Sequence, residues 1–74
     1  MFEIGKWSKI LDGEYADWFL MIDDDTSGST GGFYIYTVKD PNDKNSEGYD
    51  NWVENEEGLK NYMNHIKFQI DWNL

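Results

Sequence analysis

The chain has 74 residues, no cysteine, and fifteen Asp and Glu against six Lys, for a formal net charge of -9. That length is expected to make one domain, near the size at which a single core only just suffices, burying roughly 60% of the unfolded surface. The missing cysteine excludes a disulfide framework, a thiolate nucleophile and a thiolate metal site. The acidity disfavours binding to phosphate backbones or anionic lipid and favours basic partners. Four Trp, five Tyr and four Phe supply the core area a short chain needs, each ring burying about 150–250 Å². With no basic leader ahead of an apolar run and no apolar stretch long enough for a bilayer, the expected setting is the cytoplasm.

In chain order, residues 2–11 read two ways. Phe2, Ile4, Trp7, Ile10 and Leu11 fit helical spacing, whereas Lys6 to Leu11 alternates like a strand; a strand over about 6–11 is the preferred reading. Asp12-Gly13 marks a turn. A second strand beginning near Glu14 or Asp17 runs through Trp18-Phe19-Leu20-Met21-Ile22-Asp23, and a third covers Phe33-Tyr34-Ile35-Tyr36-Thr37-Val38. Between them lies the acidic, glycine-rich turn Asp24 to Gly32, which suits a hairpin reversal.

Hydrophobicity then stops through residues 39–48, with Asp40-Pro41-Asn42 opening a loop. Tyr49-Asp50-Asn51-Trp52-Val53 reads as extended or irregular. Asn55 is a predicted helix N-cap, with Glu56 and Glu57 placed to complement the dipole. Leu59, Tyr62, Met63 and Ile66 form one apolar stripe of a helix over about 56–65. Lys67 to Trp72 alternates without a break, predicting a final strand. The expected fold is an α+β two-layer domain, β-β-β-α-β: a three-stranded antiparallel meander, a helix over one face, and a last strand parallel to the third, with room beside the first.

The inventory for catalysis is poor. His65 is the sole histidine and sits near the helix C-terminus, where a structural role accounts for it. Paired carboxylates are plentiful, but a chain this short leaves little room for a substrate cleft, so no enzyme activity and no catalytic residue is expected. Asp23-Asp24-Asp25-Thr26-Ser27-Gly28 matches the opening of a calcium loop, with Asp23, Asp25 and Ser27 as possible ligands. The twelfth position is Tyr34 in place of the bidentate Glu, and the flanks read as strands. Gly28, Gly31 and Gly32 lack the Lys of a phosphate loop. No metal or other cofactor is therefore expected.

Strand parity gives a sharper expectation. Trp18, Leu20 and Ile22 share one face with Phe33 and Ile35, and this acid-free face is the predicted core. Asp17, Phe19, Met21 and Asp23 fall on the other face beside Tyr34 and Tyr36, with Asp24 and Asp25 at the tip. One helix covers one side, so this second face is either a partner surface or a second small core under the N-terminal segment or residues 39–53. Trp52 with Asp50, Glu54, Glu56 and Glu57 makes a separate aromatic and acidic cluster, which either pins the loop before the helix or adds to a contact surface.

The sequence Gly31-Gly32-Phe33-Tyr34-Ile35-Tyr36, then Tyr49-Asp50-Asn51-Trp52-Val53, the Leu59–Ile66 helix and Trp72 together resemble small bacterial immunity proteins of toxin-antitoxin and polymorphic-toxin systems. The resemblance spans residues 17–72 and singles out no one immunity family. It implies a cytosolic inhibitor that plugs a basic toxin, often a nuclease, with acidic and aromatic side chains. No family site residue transfers. The expected partner-binding set, Asp17, Phe19, Met21, Asp23, Asp24, Asp25, Tyr34, Tyr36, Asp50, Trp52 and Glu54, rests on charge and parity alone. Three further readings remain: a phage-encoded DNA mimic that blocks a host or defence nuclease, a small glycan- or calcium-binding module, and a structural or accessory domain.

Overall fold

The computed structural model describes residues 3–28 and 31–72; Phe2 lies outside them. Strands β1 (Ser8–Ile10), β2 (Phe19–Asp24), β3 (Phe33–Val38) and β4 (Gly48–Val53) are followed by helix α1 (Glu56–Ile66) and strand β5 (Ile70–Asp71). They form one five-stranded sheet in the order β4-β3-β2-β1-β5, with every neighbouring pair antiparallel. The fold is α+β, as the hydrophobic patterns predict.

Two features depart from the expected topology and share one cause. The segment read as irregular is a full strand, β4, pairing along its whole length with β3 from Phe33↔Val53 to Val38↔Gly48. Its middle residues Asp50 and Asn51 are poor strand formers, and neither of its faces is continuously apolar, so alternation does not reveal it. Helix α1 therefore starts from β4, and the crossover makes β5 parallel to β4, not to β3. The final strand does lie beside β1, which puts β1 inside the sheet and removes the choice between helix and edge strand for the N-terminal segment.

The ends of the helix are set by local chemistry. Asn55 accepts a hydrogen bond from the Gly58 amide at 2.9 Å, satisfying one orphan donor of the first turn. Lys67 closes the helix in the left-handed conformation, φ 55°, its amide donating to the Met63 carbonyl. That turn consumes the start of the alternating run Lys67–Trp72, so β5 keeps only Ile70 and Asp71, with Leu11 N–H reaching the Gln69 carbonyl just before them.

One face of the sheet packs on the helix. Ile10, Leu20, Ile22 and Ile35 are fully buried, and Phe33, Leu59 and Met63 complete the core. The helix does not reach the whole sheet. Tyr15, Trp18 and Phe68 pack against this core and extend it to Tyr49, with Trp18 and Tyr49 stacked at 6.1 Å and 7° and Tyr15 edge-on to its three neighbours. A hydrogen bond from Gln69 N–H to the Asp12 carboxylate, 2.8 Å, ties the β1–β2 loop to the chain leaving the helix.

Ser8 is a polar exception in this core. It is fully buried opposite Leu20, and among the described residues its hydroxyl has no hydrogen-bond partner. An unsatisfied buried hydroxyl carries its desolvation penalty without return. Replacing it, Ser8→Ala, should raise stability by about 1 kcal/mol, read as a higher midpoint in urea at unchanged slope; a lower midpoint would show that the hydroxyl has a stabilising partner.

Candidate functional site

The face opposite the helix is built row by row from the register. Trp52 pairs with Tyr34 and Tyr34 with Asp23; Asp50 pairs with Tyr36 and Tyr36 with Met21. A third row runs from Val38 through Phe19 to Lys9 and Asp71. Directly paired residues project on the same side of an antiparallel sheet. Phe19, Met21, Tyr34 and Tyr36 therefore meet as parity predicts, and β4 adds Trp52 and Asp50 to the same surface. Trp52 and Asp50 of the second sequence cluster thus join the first in one patch, whereas Glu56 lines the groove on the helix side and Glu57 lies in the first turn of the helix. Residues 48–53 do not fold across the face; they extend it.

The centre of this patch is half-buried and aromatic. Tyr34 and Tyr36, two residues apart on β3, stack at 5.9 Å with an interplanar angle of 13°. Trp52 is 46% exposed. Its indole lies over Gly32: a Cβ added there would fall 2.5 Å from the indole nitrogen and closer still to the Val53 carbonyl oxygen. The border is acidic. The Tyr36 hydroxyl is held above its ordinary value, first by burial and then by the charges of Asp23, Tyr34, Asp50 and Asp25.

Asp17 joins this border by a different route from the one expected. Its amide donates to the Ile10 carbonyl while Ile10 N–H donates to Trp18 O, so Asp17 and Trp18 together oppose Ile10 in a bulge, with Asp17 left-handed at φ 72°. Simple alternation stops at that point. The Asp17 carboxylate instead reaches Lys9 at 3.5 Å, on the third row of the face.

Of the remaining acids, Asp24 and Glu54 stand apart from this border, and Asp25 acts on Tyr36 from the turn. Asp24 pairs with Phe33 and lies on the helix side, lining an open groove of about 780 Å³ with Ile4, Phe33, Leu59 and Lys60. Its carboxylate accepts from the amide and hydroxyl of Thr26 at 2.9 and 2.6 Å, and these bonds hold it below the usual carboxylate range. Asp24 thus shapes the turn and does not belong to the face. Asp25 is half-buried with its carboxylate folded over Gly28. Glu54 is exposed one residue past β4, and His65 is exposed in the last turn of the helix. Among the described residues no three acidic or histidine side chains converge as metal ligands, and no helix is long and apolar enough to cross a membrane.

Sequence reasoning missed Val38, Lys9 and Gly32. Extending the parity of Tyr34 and Tyr36 by one step reaches Val38. Lys9 had no such signal, because its place depends on the β1–β2 register. No family model matches the chain, and no curated protein and no solved structure matches it. The resemblance to immunity proteins rests on the residues quoted for it.

Gly32 gives a test of how this face is assembled. Gly→Ala at a permissive site usually stabilises by about 0.4–1 kcal/mol through the unfolded chain. Here the methyl group collides with the Val53 carbonyl and the Trp52 ring, so Gly32→Ala should destabilise by about 1–3 kcal/mol. A shifted Trp52 indole resonance should accompany the loss. A stabilised variant would mean that β3 and β4 are not this close.

Proposed function

We propose that this chain is a protein-binding inhibitor of the immunity type, which captures a basic toxin such as a nuclease on the acidic, aromatic face of its sheet. The observation that carries the reading is the meeting of Phe19, Met21, Tyr34, Tyr36 and Trp52 with Asp23 and Asp50 on the side of the sheet opposite the helix. Aromatic side chains ringed by polar ones have the anatomy of a protein interface, in which buried rings anchor the complex and border charges steer the encounter. A formal charge of -9 gives that steering its sign. The chain is proposed to bind and not to catalyse.

A DNA mimic fits the same charge but needs carboxylates spread over the surface in place of phosphates. Here the centre is occupied by rings and the acids stand at the margin, which favours the anchored interface. A glycan module would use the same rings for stacking, with no dependence on salt.

The test is titration against any basic protein found to be encoded beside this gene, following that protein's activity and both rate constants. Stoichiometric inhibition is expected, with association slowing steeply as salt rises. Asp23→Asn with Asp50→Asn should slow association, whereas Tyr36→Ala should speed dissociation by roughly 30-fold, equivalent to about 2 kcal/mol for an anchor residue. Association that ignores salt, or no association, would overturn the proposal.

A further inference from the structure

The outer edge of the sheet carries information that the face alone does not. Lys39 N–H donates to the Glu47 carbonyl at 2.9 Å, and these residues continue the β3–β4 register. Hydrogen-bonded pairs alternate in an antiparallel ladder, so Thr37↔Tyr49, Ile35↔Asn51 and Phe33↔Val53 are the bonded pairs. The β2–β3 ladder gives an independent check: Asp25 N–H donates to Gly32 O, which assigns Tyr34, Tyr36 and Val38 to β2 and leaves Phe33, Ile35 and Thr37 for β4. The backbone groups of Gly48, Asp50 and Trp52 therefore point away from the sheet.

Among the described residues no strand pairs outside β4, and Gly48 to Trp52 are exposed along their whole length. Folded proteins blunt such edges with proline, lysine, a bulge or a very short strand. The opposite edge follows this rule, since β5 has two residues. Strand β4 has six, is paired without interruption, and contains neither Lys nor Pro. Its protection is charge: Asp50 lies within it and Glu47 and Glu54 flank it. Carboxylates repel a second copy of this chain, whose net charge is -9, and attract a basic strand.

We infer that β4 is a docking edge for an extended, Lys- or Arg-rich segment of the partner, which adds to the sheet as a sixth strand. The inference rests on the proposed capture of a basic protein and gives that capture its geometry. The incoming backbone bonds to Gly48, Asp50 and Trp52, while alternate side chains of the segment continue the rows of Trp52 and Asp50 on the aromatic face. Edge and face are then one continuous surface, with Asp50 and Trp52 belonging to both.

The test uses the whole chain and a blocked decapeptide of alternating Lys and Val as the probe, read by amide exchange and by side-chain shifts. At saturating peptide the amides of Gly48, Asp50 and Trp52 should exchange at least about ten-fold more slowly, as amides newly bonded in a ladder do. Those of Tyr49, Asn51 and Val53, already bonded to β3, should change little. Asp50→Pro removes an outward donor and leaves the β3 ladder intact, so it should lower peptide affinity more than about ten-fold. Asp50→Asn, which removes only an exposed charge, should lower it less than about five-fold. Peptide binding that shifts Tyr34 and Tyr36 without protecting Gly48, Asp50 and Trp52 would overturn the edge and leave the face as the contact surface. No binding at any salt concentration would count against both. The same protection without peptide, together with a dimer in sedimentation, would assign the edge to a second copy and overturn the inference.

Discussion

A five-stranded sheet has two faces, and this chain has one helix to cover them. That shortage governs the rest of the structure. The eleven residues of α1 span about 16 Å, and residues outside the helix also pack on its side of the sheet. That side is completed by Tyr15, Trp18, Tyr49 and Phe68, drawn from the β1–β2 and α1–β5 connections and the start of β4. Among the described residues no helix covers the opposite face, where Trp7 joins the side of Lys9 and Phe19 by the β1–β2 register. On that face the rings of Phe19, Tyr34 and Tyr36 are half-buried and Trp52 is exposed, which leaves apolar area in water at a cost that burial would relieve.

Register then decides what that uncovered face contains. Because side chains alternate, a slip of one residue between β3 and β4 would send Trp52 and Asp50 toward the helix and bring Tyr49 and Asn51 outward. Several contacts on the helix side oppose that slip. Asn51 Nδ2 donates to the Tyr62 hydroxyl at 3.0 Å, Tyr49 stacks on Trp18, and Gly58 packs against Val53. Gly32 does the same from the other side by admitting the Trp52 ring. The composition of the aromatic surface is thus fixed in part by contacts made through the sheet, on the face it does not touch.

Much of this was legible in the residues. The Leu59–Ile66 stripe, the Asn55 cap and the acid-free parity of β2 and β3 are strong local signals, and each one appears as a buried contact or a bonded cap. Strand β4 was not legible, because an edge strand with one face half on the helix and the other open shows no alternation of polarity; its identity comes from pairing with β3. Missing it reversed the direction of β5 and separated Trp52 and Asp50 from the patch they belong to. Asp24 shows the opposite failure. Charge placed it with its neighbours at the tip, whereas pleat parity and the Thr26 hydrogen bonds turn it to the other side.

The central claim is that the sheet has a covered face and an uncovered aromatic one. A neutral, soluble paramagnetic chelate, which speeds the relaxation of protons according to their distance from solvent, tests it most directly in the free protein. The side-chain protons of Met21, Tyr34, Tyr36 and Trp52 should relax strongly, while those of Leu20, Ile22, Ile35 and Leu59 should be nearly unaffected. Equal protection of both sets would contradict the account, because the face assigned to a partner would already be buried.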